Sequence, residues 1–207
     1  MTVTEPGPER LAQRASVRRD DVLARAVDEA ARLVDARGSL IFIRDPADGG
    51  GLRLTSVDTV RAEDARRWEA ALRRPRHLEG ILVRAMIEGR TLTSEDYPVD
   101  PAFSPEKAEL RAVRSFGVRS VVAAPLVVDG VAAGVLSVYS DRPAAFTERD
   151  AAVLTMIADH AAATVANVRL IDELGRSRSE LARRAENERV LREIGRASCR
   201  ERVSSVV

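Results

Sequence analysis

Apolar residues recur at helical spacing after a polar N-terminal segment, residues 1–19, that has only a weak helical tendency. Asp20 and Asp21 can cap a helix, and Gly38 is expected at its C-terminal end. Between them the apolar stripe consists of Val22, Leu23, Ala26, Val27, Ala30, Ala31, Leu33 and Val34. The spacing predicts an amphipathic helix with one wide buried face.

Two pairs of β-rich stretches predict hairpins. Residues 39–44 are too short and too β-branched for a helix, and residues 52–57 alternate between apolar and polar positions. The strongest signal is Asp129-Gly130 between two apolar runs, because a type I′ turn needs positive φ at both central positions. Pro125 has no amide hydrogen and is expected at a bulge or an edge-facing site.

Three short helices and one strand are predicted between the two hairpins. The first helix covers residues 63–74 and carries Trp68 and Leu72. The others cover residues 78–88, with Gly89 as the stop, and a stretch from Ser104 as N-cap and Pro105 at the first position to Gly117. Residues 91–95 are typical of an edge strand.

A long helix is predicted from Thr147, which forms a capping-box pattern with Asp150, to about Glu193. Its first apolar positions are expected to pack on the domain: Leu154, Ile157, Ala161, Val168 and Ile171. Its later ones fit a patchy coiled-coil seam: Leu174, Leu181, Ala185 and Leu191. We therefore expect a homodimer through the helix from Thr147 onward, with a single solvated helix as the alternative.

The last stretch, residues 194–207, breaks with the preceding pattern. It has no periodicity, holds the only cysteine, and resembles the translation of a sequencing adapter fused to a truncated gene. We expect it to be non-native, so Cys199 is assigned no role and the natural protein is expected to continue further.

The charge composition limits the binding partners to be expected. The chain has 33 basic and 32 acidic residues, and its net charge of +1 is too small to attract nucleic acid or an anionic membrane. The sequence has no long apolar stretch and no signal-peptide pattern, which predicts a cytoplasmic protein without a membrane partner. A single cysteine excludes an intrachain disulfide and any multi-cysteine metal site.

The predicted order of elements, together with a set of short motifs, resembles a GAF domain over about residues 20–172. The motifs are Gly80-Ile81, Gly89-Arg90, Glu95-Asp96-Tyr97, DPAF at 100–103, GVRSVVAAPL at 117–126, Gly134-Val135-Leu136, FTERD at 146–150 and ADHAAATVANVRL at 158–170. The resemblance implies an α+β fold, a GAF/PAS-like antiparallel sheet flanked by helices and followed by a long C-terminal signalling helix.

The resemblance also implies a domain organisation and a function. Residues 181–193 resemble the linker helix that joins such domains to others in bacterial histidine kinases, and the implied coiled-coil linker helix covers residues 173–193. The implied function is a cytosolic sensor that dimerises and regulates an output domain missing here, a histidine kinase. The alternative is a structural dimerisation module with a degenerate pocket and no ligand.

Cofactors known from related subfamilies are disfavoured. Cyclic-nucleotide-binding members carry an Asn and a Lys before the Phe146–Asp150 stretch, and residues 140–145 have neither. Bilin attachment and methionine-sulfoxide reduction need cysteines that residues 1–193 lack. Heme would need an imidazole ligand. Of the two histidines, His77 is expected to be solvated, and His160 to face solvent or the dimer seam.

No catalytic constellation is recognisable, so the chain is not expected to be an enzyme. The glycines at 49–51 lack a following helix or lysine and indicate a turn rather than a phosphate loop. The resemblance places an unknown small molecule between the sheet and the short helices. Six residues can supply its charged and aromatic contacts: Asp96, Tyr97, Arg114, Phe116, Arg119 and Tyr139. Each has an alternative as ordinary core or surface.

Overall fold

The computed structural model describes residues 8–44, 52–59, 62–71, 80–103, 105 and 107–204. These residues contain the following elements, in chain order: α1 (Pro8–Leu33), β1 (Gly38–Arg44), β2 (Leu52–Thr59), α2 (Ala62–Ala71), α3 (Ile81–Glu88), β3 (Leu92–Ser94), α4 (Lys107–Ser115), β4 (Ser120–Val128), β5 (Val131–Ser140) and α5 (Glu148–Ser204). The order confirms the predicted α+β fold class.

The chain divides into two compact units. One is Val17–Asn167, which holds all five strands found in the described residues. The other is Met1–Ser16 with Val168–Val207, of which residues 8–16 and 168–204 are described and helical. Among the described helices, none is both long enough and apolar enough to cross a bilayer.

The strands form one sheet in the order β2-β1-β5-β4-β3, with antiparallel neighbours throughout. Asp129 and Gly130 join β4 to β5 with φ of 50° and 78°, as the predicted type I′ turn requires. Pro125 lies beyond the three pairs that β4 makes with β3, and the β4–β5 register shifts just after it, between Leu126 and Val127. The predicted irregularity is therefore present at this end of β4.

Helices cover both faces of the sheet. On one face, here called the α1/α5 face, the buried side chains are mainly aliphatic and include Leu23, Val27, Ala30, Ile41, Leu126, Leu136, Leu154, Ala158 and Ala161. On the other, the α2–α4 face, they include Trp68, Ile81, Met86, Tyr97, Val113, Phe116, Val121, Val135 and Tyr139. Because β1, β4 and β5 are buried on both sides over most of their length, their sequences form almost continuous apolar runs, whereas the partly buried β2 alternates between apolar and polar residues.

The end of α1 differs from the prediction. Asp35, not Gly38, adopts the left-handed conformation past the helix, with φ of 49°, and the Ala36 amide donates to the Ala31 carbonyl at 2.9 Å. Gly38 instead begins β1, where a Cβ atom would lie 2.6 Å from the Tyr139 ring. The glycine is therefore required by close packing against Tyr139 rather than by the helix end.

Helix limits also differ at two places. α1 begins at Pro8 rather than near Asp20, and proline is compatible with a first helical turn. α5 continues to Ser204 rather than ending near Glu193, because residues 194–204 contain no proline to interrupt its hydrogen bonding. The predicted capping box is confirmed: the Thr147 amide donates to Asp150 at 2.8 Å, and the Asp150 amide donates to Thr147 Oγ1 at 3.3 Å.

Several predictions fall outside the described residues. These are the turn at 49–51, Leu72, His77, Leu78 and Ser104, and the side chains of Val168, Ala185, Leu191 and Cys199.

Gly89 and Gly117 follow α3 and α4 with φ of 64° and 68°, as predicted for helix ends.

Candidate functional site

Three aromatic side chains from separate elements pack together on the α2–α4 face. Trp68 of α2 stacks on Phe116 with ring centroids 3.7 Å apart and planes 9° apart. Trp68 also meets Tyr139 of β5 edge-on, and its Nε1 donates to the Tyr139 hydroxyl at 3.0 Å. We call these three residues the aromatic cluster. Since indole nitrogen is a donor only, the Tyr139 hydroxyl fixes how the Trp68 ring is oriented.

Charged side chains border the aromatic cluster. The Arg67 guanidinium lies 4.7 Å from the Phe116 ring centroid and donates to the Ser115 carbonyl at 3.3 Å. Arg67 also pairs with Asp64, one turn earlier in α2, at 3.2 Å. Asp64 is buried although it is a carboxylate, and its second oxygen accepts a hydrogen bond from Arg37 at 3.3 Å.

Tyr97 lies at the N-terminus of α3. Its hydroxyl accepts a hydrogen bond from the Ile81 amide at 3.2 Å and donates one to Glu109 Oε1 at 2.7 Å. Gly80 precedes Ile81 with φ of 75° and ψ of −150°, and a Cβ there would lie 2.0 Å from the hydroxyl. Tyr97 therefore supplies the acceptor for the first amide of α3, while the N-cap residue, Gly80, has no side chain to cap the helix.

Both buried tyrosines stay neutral at ordinary pH. Burial raises the pKa of Tyr97 well above its usual value, and the neighbouring Glu109 charge adds to this effect. Burial also raises the pKa of Tyr139, with the Trp68 hydrogen bond opposing it. Each hydroxyl thus remains a polar group that can donate a proton in a hydrogen bond.

Asp96 and Arg119 form a two-pronged ion pair at the end of the sheet. Arg119 Nε lies 2.8 Å from one Asp96 oxygen, and its Nη2 lies 2.6 Å from the other. The hydrogen bond from Arg119 lowers the pKa of Asp96. Next to the pair, the Tyr97 amide donates to the Arg119 carbonyl and the Arg119 amide donates to the Ser140 carbonyl. The pair therefore clamps the loop after β3 to the start of β4.

The structure brings some of the predicted ligand-contacting residues together and separates others. Tyr97, Phe116 and Tyr139 belong to one buried cluster on the α2–α4 face. Asp96 and Arg119 are bonded to each other, and Arg114 is exposed in the last turn of α4. Sequence reasoning missed Trp68, Asp64 and Arg37. The one available signal was that Trp68 is the only tryptophan of the chain.

Metal ions in proteins are held by sets of donor side chains that lie close together. In the part of the chain that the structure describes, no group of three or more His, Cys, Asp or Glu side chains is placed to hold a metal ion. His160 is exposed on α5, and its carbonyl accepts a hydrogen bond from Thr164 at 3.5 Å.

A family comparison matches residues 16–166, well over half of the chain, to the model of the GAF domain. A comparison with curated protein sequences gave no match. Many solved structures share the fold.

Three of these structures illustrate the range of proteins that have this fold. A type II free methionine-R-sulfoxide reductase from Thermoplasma acidophilum is 17% identical, with a TM-score of 0.54 over 76% of this chain and 96% of its own. The blue-light-absorbing PixJ GAF domain of Thermosynechococcus elongatus is 16% identical, with a TM-score of 0.55 over 81% and 93%. A domain described as part of a two-component sensor histidine kinase of Sinorhizobium meliloti is 19% identical, with a TM-score of 0.52 over 77% and 92%. At these identities the likeness establishes the fold alone.

Proposed function

The chain belongs to the GAF domain family, and from that premise we propose that it senses a small molecule on its α2–α4 face and dimerises through α5 to regulate an output domain, a histidine kinase. GAF domains are signal-sensing modules of histidine kinases and other signalling proteins. The proposal adds a place for the ligand, a partner and an output to that general role.

One observation carries the ligand proposal: aromatic groups with polar tips are concentrated on a single face. Trp68, Tyr97 and Tyr139 each present a large ring and one hydrogen-bonding atom. Ligand sites are mostly apolar with a few placed polar groups, which is the composition of this face. A flat, partly polar molecule that stacks on Phe116 or Trp68 and bonds a tyrosine hydroxyl fits these groups. Asp96, Arg114 and Arg119 are proposed contacts at its border.

The experiment uses Trp68 as a reporter, since the chain has no second tryptophan. Purified protein is titrated with a panel of nucleobases, indoles and aromatic amino acids while tryptophan emission is recorded. A saturable change with one compound supports the proposal, and Tyr139→Phe should weaken that binding. The matched control is Ile87→Ala, an exposed residue of α3, which should leave the titration unchanged.

Dimerisation through α5 is supported by exposed leucines. Leu170, Leu174 and Leu181 are 57%, 66% and 64% exposed, and their spacing of four and seven residues repeats on one helix side. Replacing Leu174 and Leu181 with Glu is expected to convert the dimer to a monomer in analytical ultracentrifugation. Ile87→Glu, at 78% exposure, is the control for a charge placed on another apolar surface residue. A wild-type monomer would contradict this part of the proposal.

Regulation requires the ligand to bind one arrangement of α5 better than another. Once a ligand is found, hydrogen exchange of α5 should change on its addition. Unchanged exchange with a ligand proven bound would remove the sensing function from the proposal.

A second candidate is a structural dimerisation module without a ligand. It is favoured because three of the expected ligand contacts already have partners within the domain: Asp96 bonds Arg119, and Tyr97 bonds Ile81 and Glu109. If no compound changes Trp68 emission while the protein dimerises tightly, this candidate replaces the first.

We propose no catalysed reaction and neither a membrane nor a nucleic acid as a partner of this chain. A bilin and a cyclic nucleotide are not proposed as ligands, because residues 1–193 lack cysteine and residues 140–145 lack Asn and Lys. Heme is not proposed either, because His77 is expected to be solvated and His160 is exposed on α5. A cytoplasmic location agrees with the proposed kinase output and remains part of the proposal.

A further inference from the structure

Arg37 joins three elements of the Val17–Asn167 unit at one end of the sheet. It lies in the bend between α1 and β1, and its backbone amide donates to the Tyr139 carbonyl at 2.9 Å. Its Nη1 lies 2.5 Å from Asp141, and its Nη2 lies 3.3 Å from Asp64. One guanidinium thus donates hydrogen bonds to two carboxylates that come from different parts of the chain.

The two carboxylates differ in exposure, so they contribute differently to the placement of Arg37. The Asp64 side chain is 11% exposed, whereas that of Asp141 is 47% exposed. A buried carboxylate is costly without its partners, and the partners of Asp64 are Arg67 at 3.2 Å and Arg37 at 3.3 Å. An exposed ion pair alone is weak because water competes and two side chains must be ordered. Asp64 therefore pre-orders Arg37 for its bond to Asp141.

Asp141 begins the connection from β5 to α5, and the rest of that connection is also held. Ser120 Oγ donates to the Arg142 carbonyl at 2.8 Å, and the Ala144 amide donates to the Glu95 carbonyl at 2.8 Å. The connection ends at Thr147, the N-cap of α5. A change in the bond between Arg37 and Asp141 therefore affects the connection that leads into α5.

At the other end of the arrangement, Asp64 and Trp68 lie four residues apart on α2 and so share a side of that helix. Trp68 stacks on Phe116 and bonds Tyr139 within the aromatic cluster. A movement of α2 that changes the position of Trp68 also changes the distance from Asp64 to Arg37.

We infer that Arg37 is a positioning residue that couples the placement of α2 to the connection Asp141–Thr147 and thereby to the start of α5. The inference rests on the proposed function for its biological use, since displacement of Trp68 by a ligand would be its input. The coupling itself belongs to the ligand-free protein. The Arg37 guanidinium fits this role, because it is charged at any ordinary pH and bonds the two carboxylates through separate nitrogens.

The test is a double-mutant cycle in the full chain without ligand. Asp64→Asn, Asp141→Asn and the double variant are compared by hydrogen-exchange mass spectrometry of peptides that cover residues 141–147. Asp64→Asn should raise the exchange rate of this connection roughly threefold to tenfold, which lies at the lower end of the couplings measured between contacting residues. The double variant should exchange no faster than Asp141→Asn, because that substitution already removes the bond through which Asp64 would act on the connection. Glu63→Gln is the matched control, since it removes an exposed charge from the same turn of α2.

Two outcomes would overturn the inference: an Asp64→Asn variant that exchanges like the Glu63→Gln control, or two substitutions whose effects multiply. If Asp64→Asn does not fold, Arg37→Lys takes its place: lysine has a single nitrogen and lacks the planar fork by which Arg37 bonds the two carboxylates through separate nitrogens, so the same rise is expected. Unchanged exchange in Arg37→Lys would then overturn the inference. Because no ligand is used, failure here leaves the ligand proposal standing, and a failed ligand search leaves the coupling measurable.

Discussion

The two faces of the sheet share the same strands but are held by different interactions. On the α1/α5 face, Leu23, Val27 and Leu154 are completely buried and contribute apolar area, which has no preferred direction. On the α2–α4 face, Trp68 and Tyr97 combine burial with hydrogen bonds of defined geometry. The stability of the first face depends on how side-chain volumes fit together, and that of the second depends in addition on hydrogen bonds between particular atoms.

This difference assigns separate tasks to the two faces. The α1/α5 face holds the first turns of α5 by close packing, which is rigid and tolerates little change in volume. The α2–α4 face has its own apolar core and adds hydrogen bonds between particular atoms, such as those of Trp68 and Tyr97. The proposed ligand replaces some of these bonds, so the proposed input lies on this face and the proposed output helix packs on the other.

The largest effect is expected from a cavity in the α1/α5 face. Leu154→Ala should lower the free energy of unfolding by about 2–5 kcal/mol, because neighbouring side chains fill the void only in part. Met156→Ala, two residues away and 72% exposed, should cost far less. Urea unfolding measures both variants. Similar losses in the two would mean that this face is not the packed one.

Backbone strain at α3 should produce the next largest effect, on the α2–α4 face. Gly80→Ala places a Cβ against the Tyr97 hydroxyl and strains a residue with positive φ, so about 2–4 kcal/mol should be lost. Gly89→Ala has a similar φ but nothing within 4 Å of the added Cβ, so about 1 kcal/mol is expected. Urea unfolding measures the loss of free energy in both variants. Equal losses would mean that contact with Tyr97 is not the cause.

Removing one hydroxyl should have a smaller effect that depends on pH. Tyr97→Phe deprives the buried Ile81 amide of its acceptor, which costs about 1–3 kcal/mol at pH 7. Burial raises the folded pKa of Tyr97 above that of an unfolded tyrosine, about 10. Wild-type stability should therefore fall as pH rises above about 10, since the unfolded chain then releases protons more readily. Urea unfolding at pH 8 and pH 11 should show a smaller alkaline loss in the variant; an identical loss would contradict this role for Tyr97.

The smallest effect is expected from the Asp96–Arg119 pair at the border of the α2–α4 face. Arg119 lowers the folded pKa of Asp96, so the pair contributes stability above the usual carboxyl pKa and loses it as pH falls. Asp96→Asn should slightly lower the melting temperature at pH 7 and make no difference at pH 2. A larger change than that of Tyr97→Phe would mean that the pair organises the whole loop.

Local sequence signals predicted much of the architecture. Asp129-Gly130 and the Thr147–Asp150 box act within a few residues, so their geometry follows from the sequence around them. Gly38 was wrongly expected at a helix end because its reason lies in Tyr139, which is 101 positions further along the chain. The predicted ligand residues were chosen by chemical type, and that choice could not reveal that Asp96 and Arg119 bond each other.

By itself, the sequence determined the order of helices and strands, the tight turn and the start of α5, because periodicity and capping are local properties of the backbone. Only the tertiary structure decided that Trp68 bonds Tyr139 and that Arg37 bonds both Asp64 and Asp141. Those pairs depend on strand order and register, which bring residues as far apart as Arg37 and Asp141 to one end of the sheet. Apolar patterning says which side of an element is buried, but a hydrogen bond also requires that two particular atoms meet.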